Sequence, residues 1–140
     1  MEKAGGHSEH VLADLKGPGT ITRFWSANPS TANLTRFYFD GEKRPRIENP
    51  FKLLFNGKTH PFGSDISYIS GTGGNMYYPI PYEKSPKITV AESGNPLGLC
   101  YEIGYRTYES GMRVVTFDPE ATAAWESTQM RIARAILESR

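Results

Sequence analysis

The sequence predicts an all-β fold: an antiparallel jelly-roll sandwich of about eight or nine strands with a C-terminal α-helix. Three observations predict it. Short runs rich in Thr, Ile, Phe, Tyr and Val alternate with a period of two, Gly, Pro and Asn punctuate them at even spacing, and no helical pattern intervenes before Asp118. At 140 residues the chain is one domain's worth, against a prior of about 150 residues per domain.

The first strand is expected from His10 to Leu15, stopped by Lys16-Gly17-Pro18-Gly19, whose glycines and proline force a turn. Thr20 to Ala27 follows. Its alternation assigns Ile21, Arg23 and Trp25 to one face and Thr22, Phe24 and Ser26 to the other. Asn28-Pro29-Ser30 ends it. Leu34 to Phe39 is the third strand, closed by Asp40-Gly41, a turn pair that tolerates positive φ, and Arg46 to Glu48 pairs back across it. From Pro50 to Phe62 the two-residue period disappears, and Phe51, Leu54 and Phe55 recur at helical spacing over one turn, predicting a short plug. Strand character returns at Asp65 to Ser70, Asn75 to Tyr78, Pro86 to Ala91, Leu99 to Tyr108 and Met112 to Phe117. Gly71-Thr72-Gly73-Gly74 reads as a turn, because no Lys-Ser/Thr pair follows to make it a phosphate loop.

Asp118-Pro119-Glu120 then starts a helix, with Asp118 as a cap and Pro119 at the first helical position. Neither Gly nor Pro interrupts the chain from there to Arg140, and Trp125, Ile132 and Ile136 form an apolar stripe. The organisation expected is therefore a flexible extension over 1–10, the sandwich over 11–118 and an amphipathic helix over 119–140.

Composition narrows the function. Sixteen basic and fifteen acidic residues leave a net charge of +1, which argues against nucleic acid as a partner. One cysteine, Cys100, excludes an internal disulfide and a thiolate-clustered zinc site. The three histidines, His7, His10 and His60, form no spaced ligand pair with a nearby carboxylate, so neither a metal nor another cofactor is expected. The first ten residues lack a signal-peptide pattern and no apolar run is long enough for a membrane span, so the chain as written reads as cytoplasmic.

Sugar sites combine flat aromatic faces with Arg, Asn and carboxylate groups, and the sequence carries these together. Arg23 and Trp25 share a strand face, Asn75 precedes Tyr77 and Tyr78, and Glu102 and Arg106 share a face of their strand. The plainer reading is that the aromatics are core, that Glu102 and Arg106 form a surface pair, and that Arg23 and Trp25 form a cation–π pair holding their strand to its neighbour. Asp14, Asp40, Asp65 and Glu102 sit at or near strands, but no spacing singles out the two carboxyls that glycoside cleavage requires. There is no Gly-x-Ser-x-Gly nucleophile elbow.

Four ordered blocks carry a resemblance: Val11–Trp25 (VLADLKGPGTITRFW), Arg36–Glu42 (RFYFDGE), Gly73–Tyr82 (GGNMYYPIPY) and Tyr101–Tyr108 (YEIGYRTY). Over about Val11 to Asp118 the chain resembles the N-terminal part of glycoside hydrolase family 172, formerly domain of unknown function 2961. The resemblance implies a jelly roll, with two such sandwiches in a longer chain assembled into trimers or hexamers. It implies action on furanosides, α-D-fructofuranosides with difructose anhydride or D-arabinofuranosides, by a retaining exo mechanism using two glutamates. Those glutamates lie beyond the matched region, and the site is completed across subunits. This chain stops after one sandwich and its helix, and lacks a clear copy of the Asp-containing stretch that precedes the first block in the family.

The catalytic pair is thus not assigned within these residues, and the chain alone is expected to be inactive. Arg23 and Trp25 are the candidate substrate-binding residues. The expected partners are a furanoside carbohydrate and a second jelly-roll domain or homologous chain. Two alternatives stay open: a carbohydrate-binding module with Trp25, Tyr77 and Tyr78 as its stacking platform, and a structural jelly roll that mainly forms trimers.

Overall fold

The structure is a computed structural model and describes residues 2–4, 7–31, 33–91 and 99–121, together with Ala135 and Glu138. Ten strands lie among these residues: β1 (Glu2–Ala4), β2 (His7–Asp14), β3 (Gly19–Ala27), β4 (Leu34–Phe39), β5 (Ile47–Pro50), β6 (Ser67–Ser70), β7 (Gly73–Met76), β8 (Ile80–Tyr82), β9 (Pro86–Ala91) and β10 (Cys100–Thr107). They form two sheets, and every pairing is antiparallel. The first sheet runs β1-β2-β9-β4-β5 and the second β10-β3-β7-β6, with β8 also on β3. The chain passes between sheets after β2, β3, β5, β8 and β9, the crossing pattern of a jelly-roll sandwich. The expected C-terminal helix falls largely outside the described residues: Pro119–Ala121 make a 3-10 turn, and Ala135 and Glu138 are helical.

Aromatic rings fill the space between the sheets. Phe24 of β3 meets Phe51 and Phe55 edge-on, each with ring centres 5.7 Å apart, and Phe51 meets Phe55 at 5.3 Å. The plug expected between Pro50 and Phe62 is a 3-10 helix, Phe51–Phe55, with Phe51, Leu54 and Phe55 fully buried. A second group joins Phe37, Phe62, Tyr78 and Phe117, with Phe62 stacked on Phe117 at 6.2 Å. Tyr78 is therefore a core residue and not part of a surface platform. Its position follows from alternation, because Gly74 and Met76 also face the core while Tyr77 faces solvent.

Three further expectations are corrected. Ile21 does not share a face with Arg23: a bulge places both Thr22 and Arg23 opposite the stretch at Gly104, so Ile21 and Phe24 are both fully buried while Arg23 and Trp25 face outward. Met112–Phe117 is not a strand. Met112 and Val115 are exposed, and the segment is held instead by the Phe117 amide donating to the Pro81 carbonyl at 2.8 Å. Within the stretch 1–10, read as an extension, Glu2–Ala4 and His7–Asp14 are strands of the first sheet.

The polar run His7-Ser8-Glu9-His10 disguised β2 because its buried member is charged. Glu9 is fully buried, pairs with Arg36, and accepts hydrogen bonds from the Tyr38 hydroxyl at 3.0 and 3.1 Å, while Arg36 also donates to Glu48 at 2.7 Å. Breaking such a pair leaves an uncompensated buried charge, which makes β2's register specific. Burial pushes the Tyr38 hydroxyl up to about 12, reinforced by its bond to the Glu9 carboxylate and by that charge.

Two outcomes are expected. A Cβ at Gly74 would lie 2.6 Å from Cγ of Phe55, so Gly74→Ala should cost about 1–3 kcal/mol in urea unfolding. Gly63→Ala, which meets only ordinary contacts, should stay within about 0.5 kcal/mol. For Tyr38 the raised pKa means its neutral form is favoured in the fold. Its contribution should be complete below the unfolded value near ~10 and decline as pH rises toward 12, and Tyr38→Phe should remove that alkaline slope.

Candidate functional site

The outward side of the second sheet brings together the chemistry expected from sequence. Register sets Glu102 opposite Trp25, Trp25 opposite Asn75, and Asn75 opposite Tyr68. A carboxylate, an indole, a carboxamide and a phenol thus lie in one row across β10, β3, β7 and β6. Side chains directly opposite each other in antiparallel strands lie within about 5.5 Å at Cβ, so the row is contiguous. Trp25 is half-buried, and its indole edge lies over Gly73, where a Cβ would come within 3.3 Å of Nε1.

A second line runs beside the row. Arg23 Nη1 donates to Glu102 Oε1 at 3.2 Å, and the guanidinium sits 5.8 Å from the centre of the Tyr77 ring. Tyr77 in turn stacks on Tyr68, with centres 6.4 Å apart and planes 28° from parallel. The cation–π partner of Arg23 is therefore Tyr77, on the segment just after β7, and not Trp25. The ion pair is exposed, with Glu102 two-thirds accessible, so its value is in orienting the guanidinium rather than in stability. Tyr68 and Tyr77 are 45% and 41% accessible, which leaves ring faces open to a ligand.

Tyr68 was not singled out from sequence, although a signal existed. Gly71 has φ +59 at the first central position of a two-residue hairpin, as a type II′ turn requires, and Ser70 pairs with Gly73. Counting back from that turn sets Tyr68 against Asn75. Glu102 and Trp25 came together for the simpler reason that β10 and β3 pair along their full length.

The other expected carboxylates lie elsewhere. Asp14 ends β2 opposite Lys87, and Asp65 is exposed on the approach to β6. Asp40 stands at one end of the sandwich beside a cleft of about 810 Å³ whose lining includes Arg46, Glu83, Lys84, Met112 and Val115. Its Oδ1 accepts from the Lys84 and Ser85 amides at 2.8 and 3.1 Å, and its Oδ2 accepts from the Thr116 hydroxyl. With its acceptor sites so occupied, Asp40 fastens three loops and is poorly placed to act on a ligand. No group of three or more His, Cys, Asp or Glu side chains among the described residues is placed to hold a metal ion.

Burial raises the Asp40 carboxyl, but the bonds from Thr116, Lys84 and Ser85 and the charge of Arg46 outweigh it and hold the group below the ordinary aspartate range. Its stabilising effect should be complete above about pH 4 and be lost as pH falls through the lowered value. Asn tolerates the positive φ of 54 at this position, so Asp40→Asn isolates the charge, and acid unfolding of the variant should lose that part of the pH slope.

Comparison with known proteins bears on the whole sandwich. The family model described as GH172 first beta-sandwich domain matches residues 1–125. None of the curated proteins matches the chain. A match over most of the chain shows the family: the chain belongs to glycoside hydrolase family 172 and contains its first β-sandwich domain.

Proposed function

We propose that this first sandwich of a family 172 glycoside hydrolase serves a furanoside-cleaving enzyme as a sugar-contacting wall. The bond-breaking carboxylates come from outside these residues. The observation that carries the reading is the row Glu102, Trp25, Asn75 and Tyr68 across four strands of one sheet face. Trp25 and Tyr68 offer π faces to the C–H face of a sugar ring, and Asn75 and Glu102 offer a donor and acceptors to its hydroxyls. Arg23, steadied between Glu102 and the Tyr77 ring, adds directed N–H donors beside them.

The same face gives a reason for inactivity alone. Retaining cleavage needs two carboxyl groups about 5–5.5 Å apart across the scissile bond. Along the row only Glu102 is acidic, and it is committed to Arg23 through one oxygen. A second sandwich or a homologous chain is the source of the missing pair in this reading.

Calorimetric titration of the 140-residue chain with α-D-fructofuranosides and D-arabinofuranosides tests the wall. We expect weak binding that Trp25→Ala reduces about tenfold or more, with Arg23→Ala and Tyr68→Ala following, and no sugar release in the same mixtures. Binding unchanged by Trp25→Ala would remove this face from the site. Sugar release by the chain with no companion protein would overturn the assignment of catalysis to residues outside it.

A further inference from the structure

We propose that β10 is a self-pairing edge through which two copies of this chain join antiparallel about a twofold axis at Gly104, continuing the second sheet from one copy into the other. The strand stands at the end of its sheet's order and is eight residues long. The other sheet-end strands are three or four residues, and β5 ends in proline. Long edges are normally blunted by proline, charged side chains or a bulge. Cys100–Thr107 has no proline and the bulge in its pairing belongs to β3; its two charges, Glu102 and Arg106, are of opposite sign and stand symmetrically about Gly104.

The backbone is in phase for such pairing. The Tyr108 amide donates to the Pro18 carbonyl at 2.9 Å, so even-numbered residues of this segment turn their amides and carbonyls toward β3. By alternation, Tyr101, Ile103, Tyr105 and Thr107 turn theirs away from β3, to the side on which no strand among the described residues pairs with β10. With the axis at Gly104, Ile103 falls opposite the partner's Tyr105 and Tyr101 opposite the partner's Thr107, so these residues exchange hydrogen bonds.

The side chains then select a second copy of this chain over another strand. The non-hydrogen-bonded pairs are Glu102 with the partner's Arg106, Gly104 with Gly104, and Arg106 with the partner's Glu102. Opposite charges meet twice, on the outward face, where cross-strand contacts are closest. Glu102 uses Oε1 for Arg23 and can present Oε2 to the partner. Tyr105, 52% accessible, covers the half-buried Ile103 of the partner. Gly104 at the axis lets the two backbones approach without side-chain bulk.

Sedimentation of the 140-residue chain from low to high micromolar concentration tests the pairing. We expect a concentration-dependent dimer that Arg106→Glu weakens about tenfold and that the charge-exchanged double variant, Glu102→Arg with Arg106→Glu, restores. A Cβ at Gly104 meets only ordinary contacts, the nearest at 3.5 Å, so Gly104→Cys is compatible with the fold. In a non-hydrogen-bonded pair the two Cα atoms are about 4.5 Å apart, within the disulfide range. Gly104→Cys in a Cys100→Ser background should therefore give a covalent dimer on oxidation, and Cys100→Ser alone should not. A chain monomeric throughout would overturn the proposal. So would a dimer, trimer or larger assembly that is indifferent to Arg106→Glu and forms no bond at position 104. Arg106 is exposed, so its variant keeps the test decisive even if Gly104→Cys fails to fold.

Discussion

One extra residue in β3 governs what the second sheet can present. Without the bulge at Thr22, strict alternation would send either Ile21 or Phe24 to the outer face. Both are fully buried, Ile21 over β8 and Phe24 against the Phe51–Phe55 plug. The bulge reconciles these two core anchors, and as a result Thr22, Arg23 and Trp25 emerge on the same outward side. The aromatic and polar row across β10, β3, β7 and β6 depends on that local accommodation. So does the regular phase of β10 beside it, because the irregularity is carried by its neighbour.

The two outer faces solve different problems. On the first sheet, Glu9, Arg36 and Tyr38 form a buried charged group whose members leave little room for an alternative partner. On the second, Tyr68, Tyr77 and Glu102 remain open and are held by stacking and one exposed ion pair. Rigidity in the first sheet comes with burial of charge, and availability in the second comes with bonds that are individually weak. A binding wall needs the second condition on a scaffold that has the first. Gly74 connects them, since its missing Cβ lets the Phe55 ring seat directly beneath the strand that carries Asn75.

Much of this was legible in the residues, where the physical signal was local. Leu34–Phe39 and Pro86–Ala91 have the bounds expected from their alternation, and the all-β sandwich follows from turn spacing. The departures share a cause: each depends on a contact distant in sequence. The bulge at Thr22 needs β10 as its measure. Burial of Glu9 needs Arg36, 27 residues away. Met112–Phe117 alternates like a strand but meets no ladder among the described residues, because isolated bonds to Asp40, Pro81, Glu83 and Arg46 hold it instead. Arg23 and Trp25 were recognisable as polar and aromatic neighbours, whereas Tyr68 required the hairpin register to be counted through Gly71.

The fastening of that last segment has a mechanical corollary. Thr116 is tied to Asp40, and the Phe117 ring lies stacked between the sheets, just ahead of the 3-10 turn Pro119–Ala121. Tension applied from the C-terminal side therefore loads a side-chain latch and a buried ring before it reaches any strand. The sandwich can carry a tethered neighbour without having its ladders peeled one bond at a time.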